Sequence, residues 1–160
     1  MKWLLFLLIA QSAINLVAAS ESQVKTEIPV GIVNRTEQKI VTVSFEGLKA
    51  GDDYVVKGCC APVLWYILGP SYGSDGVPYV CCTSLPSKWQ ADMKVLVRWK
   101  PNYGNRQSNM PYMEKIVPVE NYDFPSNVYI HFFPNDEVRV VVSRFPPLHP
   151  EHPIPPPEGE

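Results

Sequence analysis

The chain has 160 residues, 46% of them apolar and 11% aromatic, with 14 basic and 16 acidic side chains and a formal charge of −2. That length supplies one core and little room for a second. The charge argues against a dedicated nucleic-acid binder, which is normally clearly basic, and 17 prolines argue against a helical bundle.

The N-terminal segment, residues 1–19, reads as an address. Lys2 is followed by Trp3-Leu4-Leu5-Phe6-Leu7-Leu8-Ile9-Ala10, and the apolar character runs on to Ala19 with only Gln11, Ser12 and Asn15 interspersed. A basic start, an apolar stretch and small residues at its end make a secretory signal peptide. Val17 and Ala19 suit the two small positions before a cut after Ala19, and a cut after Ser20 fits nearly as well. Cleavage removes Lys2 and takes the charge from −2 to −3. The competing reading is an uncleaved anchor, since about 17 mostly apolar residues just span a bilayer; only then would a membrane be a partner. The first cysteine is Cys59, so no cysteine follows the apolar stretch to carry a lipid.

From residue 24 onward the chain alternates. Candidate strands fall at residues 26–33, 38–46, 53–58, 77–82, 94–100, 114–119, 127–133 and 137–143. In 38–46, Val41, Val43 and Phe45 oppose Thr42 and Ser44; in 94–100, Val95, Val97 and Trp99 oppose Lys94, Leu96, Arg98 and Lys100. Val128, Ile130 and Phe132 oppose Tyr129, His131 and Phe133, and Val138, Val140 and Val142 oppose Glu137, Arg139, Val141 and Ser143. Period-two spacing rich in β-branched and aromatic residues is the mark of half-buried strands. Many short strands separated by turn residues predict an all-β domain over residues 24–145. An antiparallel β-sandwich, immunoglobulin-like or similar, is favoured over a small open barrel. Pro134-Asn135-Asp136 sits between the last two strands as a hairpin turn.

Two pairs of adjacent cysteines, Cys59-Cys60 and Cys81-Cys82, suit an oxidising compartment. Bridging immediate neighbours strains the ring. If the pairs lie on neighbouring antiparallel strands, Cys59 faces Cys82 and Cys60 faces Cys81, because consecutive residues on a strand point to opposite faces. Each bridge would then stabilise by roughly 3 kcal/mol in the chain-entropy picture. Metal ligands prefer cysteines two to four residues apart, so zinc is the weaker reading, and thiol-redox chemistry is a further alternative.

Two loops are long for so small a domain, residues 61–76 and 101–113, and loops of that length often carry function. They hold Trp65, Tyr66, Tyr72, Tyr103, Arg106, Met110, Tyr112 and Met113, the residue types enriched at protein interfaces. Trp65, Tyr72, Tyr103 and Tyr112 are the expected partner-contacting residues, set against the alternative that they fold back on the domain. The C-terminal segment, residues 146–160, has seven prolines in fifteen positions and is expected to lie extended along the domain surface, the alternative being a ligand for a proline-reading groove.

Catalytic equipment is sparse. The chain carries no phosphate-binding glycine loop, nucleophile elbow or paired-histidine zinc helix. His131 on a strand reads as a packed or half-exposed structural residue; His149 and His152 would need a third ligand to hold a metal. The scattered acids give no reason to choose a glycosidase-like pair, and Trp65, Trp89 and Trp99 suit a core or its rim as well as a sugar platform. No catalytic residue, metal or small-molecule cofactor is therefore expected, and no enzymatic activity.

The block Val80-Cys81-Cys82-Thr83-Ser84-Leu85-Pro86-Ser87-Lys88-Trp89, followed by Val95-Leu96-Val97-Arg98-Trp99, resembles the core signature of the bacterial domain of unknown function 3304 family. So does Val128-Tyr129-Ile130-His131-Phe132-Phe133-Pro134-Asn135, continuing through Glu137-Val138-Arg139-Val140-Val141-Val142-Ser143 to His149-Pro150. The resemblance runs from about Val30 to Pro153. It implies a small exported protein of Gram-negative bacteria, in a family with many lipoproteins, often encoded beside phospholipase effectors of type VI secretion. The role it implies is that of a periplasmic immunity protein whose partner is such an effector. This chain departs from the lipoproteins in lacking the lipidation cysteine. A structural envelope protein, or less readily a thiol-redox protein, is the alternative.

Overall fold

The alternation translates into burial strand by strand. In the computed structural model, which describes residues 24–38, 40–47, 49–50, 53–54, 79–101 and 111–156, nine strands appear. They are β1 Val24–Asn34, β2 Ile40–Gly47, β3 Lys49–Ala50, β4 Asp53–Tyr54, β5 Tyr79–Pro86, β6 Lys94–Pro101, β7 Met113–Pro118, β8 Asn127–Phe132 and β9 Val138–Ser143. The first sheet has the order β5-β1-β8-β9, the second β2-β6-β7, and β3-β4 form a short ribbon. The fold is all-β, with two sheets packed together as a sandwich.

The core is built from the inward residues of both sheets. Ile28, Val30, Ile32, Val128, Ile130, Val138 and Val140 of the first sheet meet Val43, Phe45, Val95, Val97 and Trp99 of the second. The void left between Phe45, Val95, Ile130 and Val140 is only about 10 Å³, close packing of the kind expected of a protein interior. Ile40 is buried together with Val43 and Phe45, an odd step that strict alternation forbids. A register shift between Ile40 and Thr42 absorbs it, inserting a residue so that both ends of β2 face the core.

The sheets are not wholly antiparallel, which corrects the sequence expectation in one place. β1 pairs antiparallel with β5 but parallel with β8, Val30 opposite Val128 and Asn34 opposite Phe132. β1 and β8 are far apart in sequence, so the chain crosses through the second sheet before returning, which is how parallel neighbours are joined. The β8–β9 hairpin turns at a short 3-10 segment, Pro134–Asp136, in which Asn135 and Asp136 take φ of 61° and 58°. Two successive left-handed residues give the turn the twist that flanking strands require. At the end of β1, the buried Asn34 accepts the Thr36 N–H at 3.0 Å and donates through Nδ2 to the Gln38 carbonyl at 2.7 Å, a side-chain turn that leads into β2.

Candidate functional site

The two outer faces of the sandwich differ. On the first sheet, Tyr129 and His131 point away from the core, yet both are fully buried. The cover is the proline-rich tail. Ile154 is buried against Val33, Tyr129, Val141 and Phe133. The Arg35 guanidinium donates to the carbonyls of Pro155 at 2.7 Å and Ile154 at 3.4 Å, and lies 5.6 Å from the centroid of the Phe133 ring. The segment described through residue 156 thus lies along the domain, but it is not extended as its composition predicts: the His149 N–H donates to the Pro146 carbonyl and the His152 N–H to the His149 carbonyl, each at 2.9 Å, in two successive turns.

Beneath the tail, His131 and His152 face each other with their Nε2 atoms 3.1 Å apart. His152 Nδ1 stands 2.9 Å from the Phe145 carbonyl. A carbonyl only accepts, so that nitrogen carries a proton. In the neutral pair His152 Nε2 is then the acceptor and His131 Nε2–H the donor. This leaves His131 Nδ1 as a bare lone pair, consistent with its being buried without a hydrogen-bond partner among the described residues. Burial pushes His131 well below the ordinary histidine range, and its neighbours His152, Arg35 and Arg139 push in the same direction. Burial also lowers His152, with Arg35 adding to it, against the opposing bond to the Phe145 carbonyl. A metal between the two Nε2 atoms would move the His131 proton to Nδ1, where no acceptor waits among the described residues. The donor set therefore suits a hydrogen bond. His149 turns away, stacked on Phe145 at 4.3 Å with its Nδ1 accepting the Glu151 N–H.

The outer face of the second sheet is uncovered by any described residue. The strand register sets Glu46, Leu96 and Ile116 side by side, then Ser44, Arg98 and Glu114 in the next row. Arg98 bridges Glu46 and Glu114. One step beyond, Lys100 Nζ lies 5.8 Å from the centroid of the Tyr112 ring. Tyr112 is 54% exposed and Ile116 58%. The result is an apolar patch of Leu96 and Ile116 at the edge strand β7 and, two rows away, the exposed Tyr112, with Arg98 and Glu114 between them and one guanidinium shared by two carboxylates.

Of the residues expected to contact a partner, Tyr112 stands on this face; Trp65, Tyr72 and Tyr103 lie outside the described residues, as do Cys59 and Cys60. Cys81 and Cys82 lie on β5. Cys82 is disulfide-bonded, and its sulfur partner is not among the described side chains. Trp99 is a core residue, and Trp89 anchors at the rim by donating its Nε1–H to the Val119 carbonyl at 2.8 Å. Period-two reasoning identified Leu96 and Ile116 as outward or strand residues without marking them as a surface. It could not pair His131 with His152, because no local spacing signals a contact between a strand and a tail.

Residues 33–140 match the family described as protein of unknown function DUF3304. The chain belongs to that family. No curated protein and no solved structure matches it. The DUF3304 match begins near the end of β1 and closes within β9, so it takes in strands of both sheets, His131, Tyr112 and Ile116. His152 and Ile154 lie beyond its end.

Proposed function

We propose that this DUF3304 member is an exported, non-enzymatic binding protein. In this reading it is an immunity protein that neutralises a type VI secretion phospholipase effector in the periplasm. The observation that carries the binding role is the outer face of the second sheet, where Ile116, paired with Leu96, and Tyr112, on the far side of the Arg98–Glu114 pair, are both more than half exposed. Large side chains held on a rigid sheet lose little entropy on contact, and tyrosine is among the residue types that anchor interfaces. The apolar leader and the paired cysteines support export, and the resemblance of the double-cysteine block and final hairpin supplies the class of partner. The pairings Cys59–Cys82 and Cys60–Cys81 belong to this proposal, as does contact through Trp65, Tyr72 and Tyr103.

The test is to purify the mature chain with a type VI secretion phospholipase effector from the same genome and to measure lipid hydrolysis and binding by calorimetry. The wild-type protein is expected to abolish hydrolysis. The pair Tyr112→Ala and Ile116→Ala should weaken binding at least about tenfold, as loss of central anchors does. Hydrolysis unaffected by saturating wild-type protein would reject the immunity role; unchanged affinity in the double variant would reject the placement of the surface.

A further inference from the structure

We propose that the C-terminal tail is an acid-released latch, closed over the outer face of the first sheet only while His131 and His152 are both uncharged. The inference is independent of the partner proposed above. It begins from geometry. The two imidazoles meet at 3.1 Å between Nε2 atoms, one on β8 and the other on the tail. A hydrogen bond across that gap needs one ring to donate and the other to accept, and the Phe145 carbonyl already takes the remaining proton of His152. A second proton on His152 converts its Nε2 into a donor, so His131 must either present a donor to it or move its own proton to Nδ1, which is buried with no acceptor among the described residues. A second proton on His131 places an N–H at the buried Nδ1, which has no acceptor among the described residues. Either addition breaks the arrangement that holds the tail.

The surroundings offer a new positive charge little relief. From the end of β1 comes Arg35, and from β9 comes Arg139, the two cations that act on His131. Glu120 is committed to Arg139 through bonds of 2.7 and 3.0 Å, and Glu137 also acts on that arginine. β8 and β5 contribute neutral groups, the hydroxyls of Tyr129 and Tyr79, 3.4 Å apart. The tail itself contributes His149, stacked on Phe145, and the exposed Glu151. Burial of both rings holds them neutral in the closed form. In the open form the tail histidine enters water, and His131 loses its cover; each then titrates near the ordinary value of about 6.5. The open form binds more protons, so opening is favoured as pH falls through that value. It rises by about tenfold per pH unit for each histidine that charges, or about a hundredfold when both do. Above that range pH has no effect. What the latch uncovers is an apolar strip of Val33, Tyr129, Phe133 and Val141.

Hydrogen exchange on the whole mature protein, read by mass spectrometry at pH 7.5 and 5.5 and corrected for intrinsic rates, separates latch opening from unfolding. Amides of His149, His152 and Ile154 are expected to open at least about tenfold more at pH 5.5, while amides of β8 and β9 keep their protection. The double variant His131→Gln with His152→Gln should show the same tail exchange at both pH values, whatever its basal level. Tail protection unchanged in the wild-type protein, tail and strands opening together, or a pH response retained in the double variant would each overturn the latch.

Discussion

The rings of Trp99 and Phe132 meet edge to face with centroids 5.4 Å apart, one from each sheet. Trp99 is 4% exposed and Phe132 2%, so the pair joins β6 to β8 through the middle of the sandwich. Truncating Phe132→Ala removes the partner ring and leaves a cavity that a close-packed core cannot collapse around. The expected cost is about 3–5 kcal/mol. Urea unfolding should show a lower midpoint with an unchanged slope.

Tyr122 donates its buried hydroxyl to the Pro86 carbonyl at 2.9 Å, and burial pushes it up to about 12. Tyr129 is likewise raised to about 12, by burial first and then by its hydrogen bond to Tyr79. An unfolded chain releases these protons from about pH 10, the folded chain only near 12. Their contribution to stability is therefore intact below pH 10 and lost as pH climbs from 10 to 12. Absorbance at 295 nm should show both titrating late, and denaturant midpoints should fall only in that alkaline window; a flat midpoint there would contradict the assignment.

Asp136 holds φ at 58° in the β8–β9 turn. A side chain with a Cβ is strained in this region, and glycine is not. Asp136→Gly is expected to raise stability by about 0.5–1 kcal/mol. The backbone carbonyl that receives Lys115 Nζ is kept. A lower melting temperature would show that the aspartate side chain contributes something its backbone geometry does not reveal.

Arg139 grips Glu120 through two bonds, beside the isolated bridge that pairs Val119 with Val140. Both side chains are about one-third exposed, so solvent screens the pair. Glu120→Ala should cost about 1 kcal/mol or less, and the loss should shrink further in high salt. A double-mutant cycle with Arg139→Ala measures the coupling directly.

Much of this architecture is legible without coordinates. Val95, Val97 and Trp99 enter the core and Lys94 stays in water because alternation is a property of neighbouring residues on one strand. That local signal, together with the turn chemistry of Pro134-Asn135-Asp136, placed the last hairpin. It failed at β2, where a bulge lets Ile40 join Val43 in the core, since register depends on the partner strand. The candidate surface was half visible: Tyr112 drew notice as an interface-type residue in a long loop, whereas Leu96 and Ile116 became a patch only when β6 and β7 aligned.

Composition and short-range spacing were sufficient for an all-β chain with a buried stripe on strands such as β6, because burial against a single core needs nothing beyond a period. Which strands become neighbours is another matter. The parallel meeting of β1 with β8, and the closure of His152 onto His131, bring together residues with no periodic relation. Such contacts are chosen by the summed packing of the whole sandwich, and that sum exists only after the chain has folded.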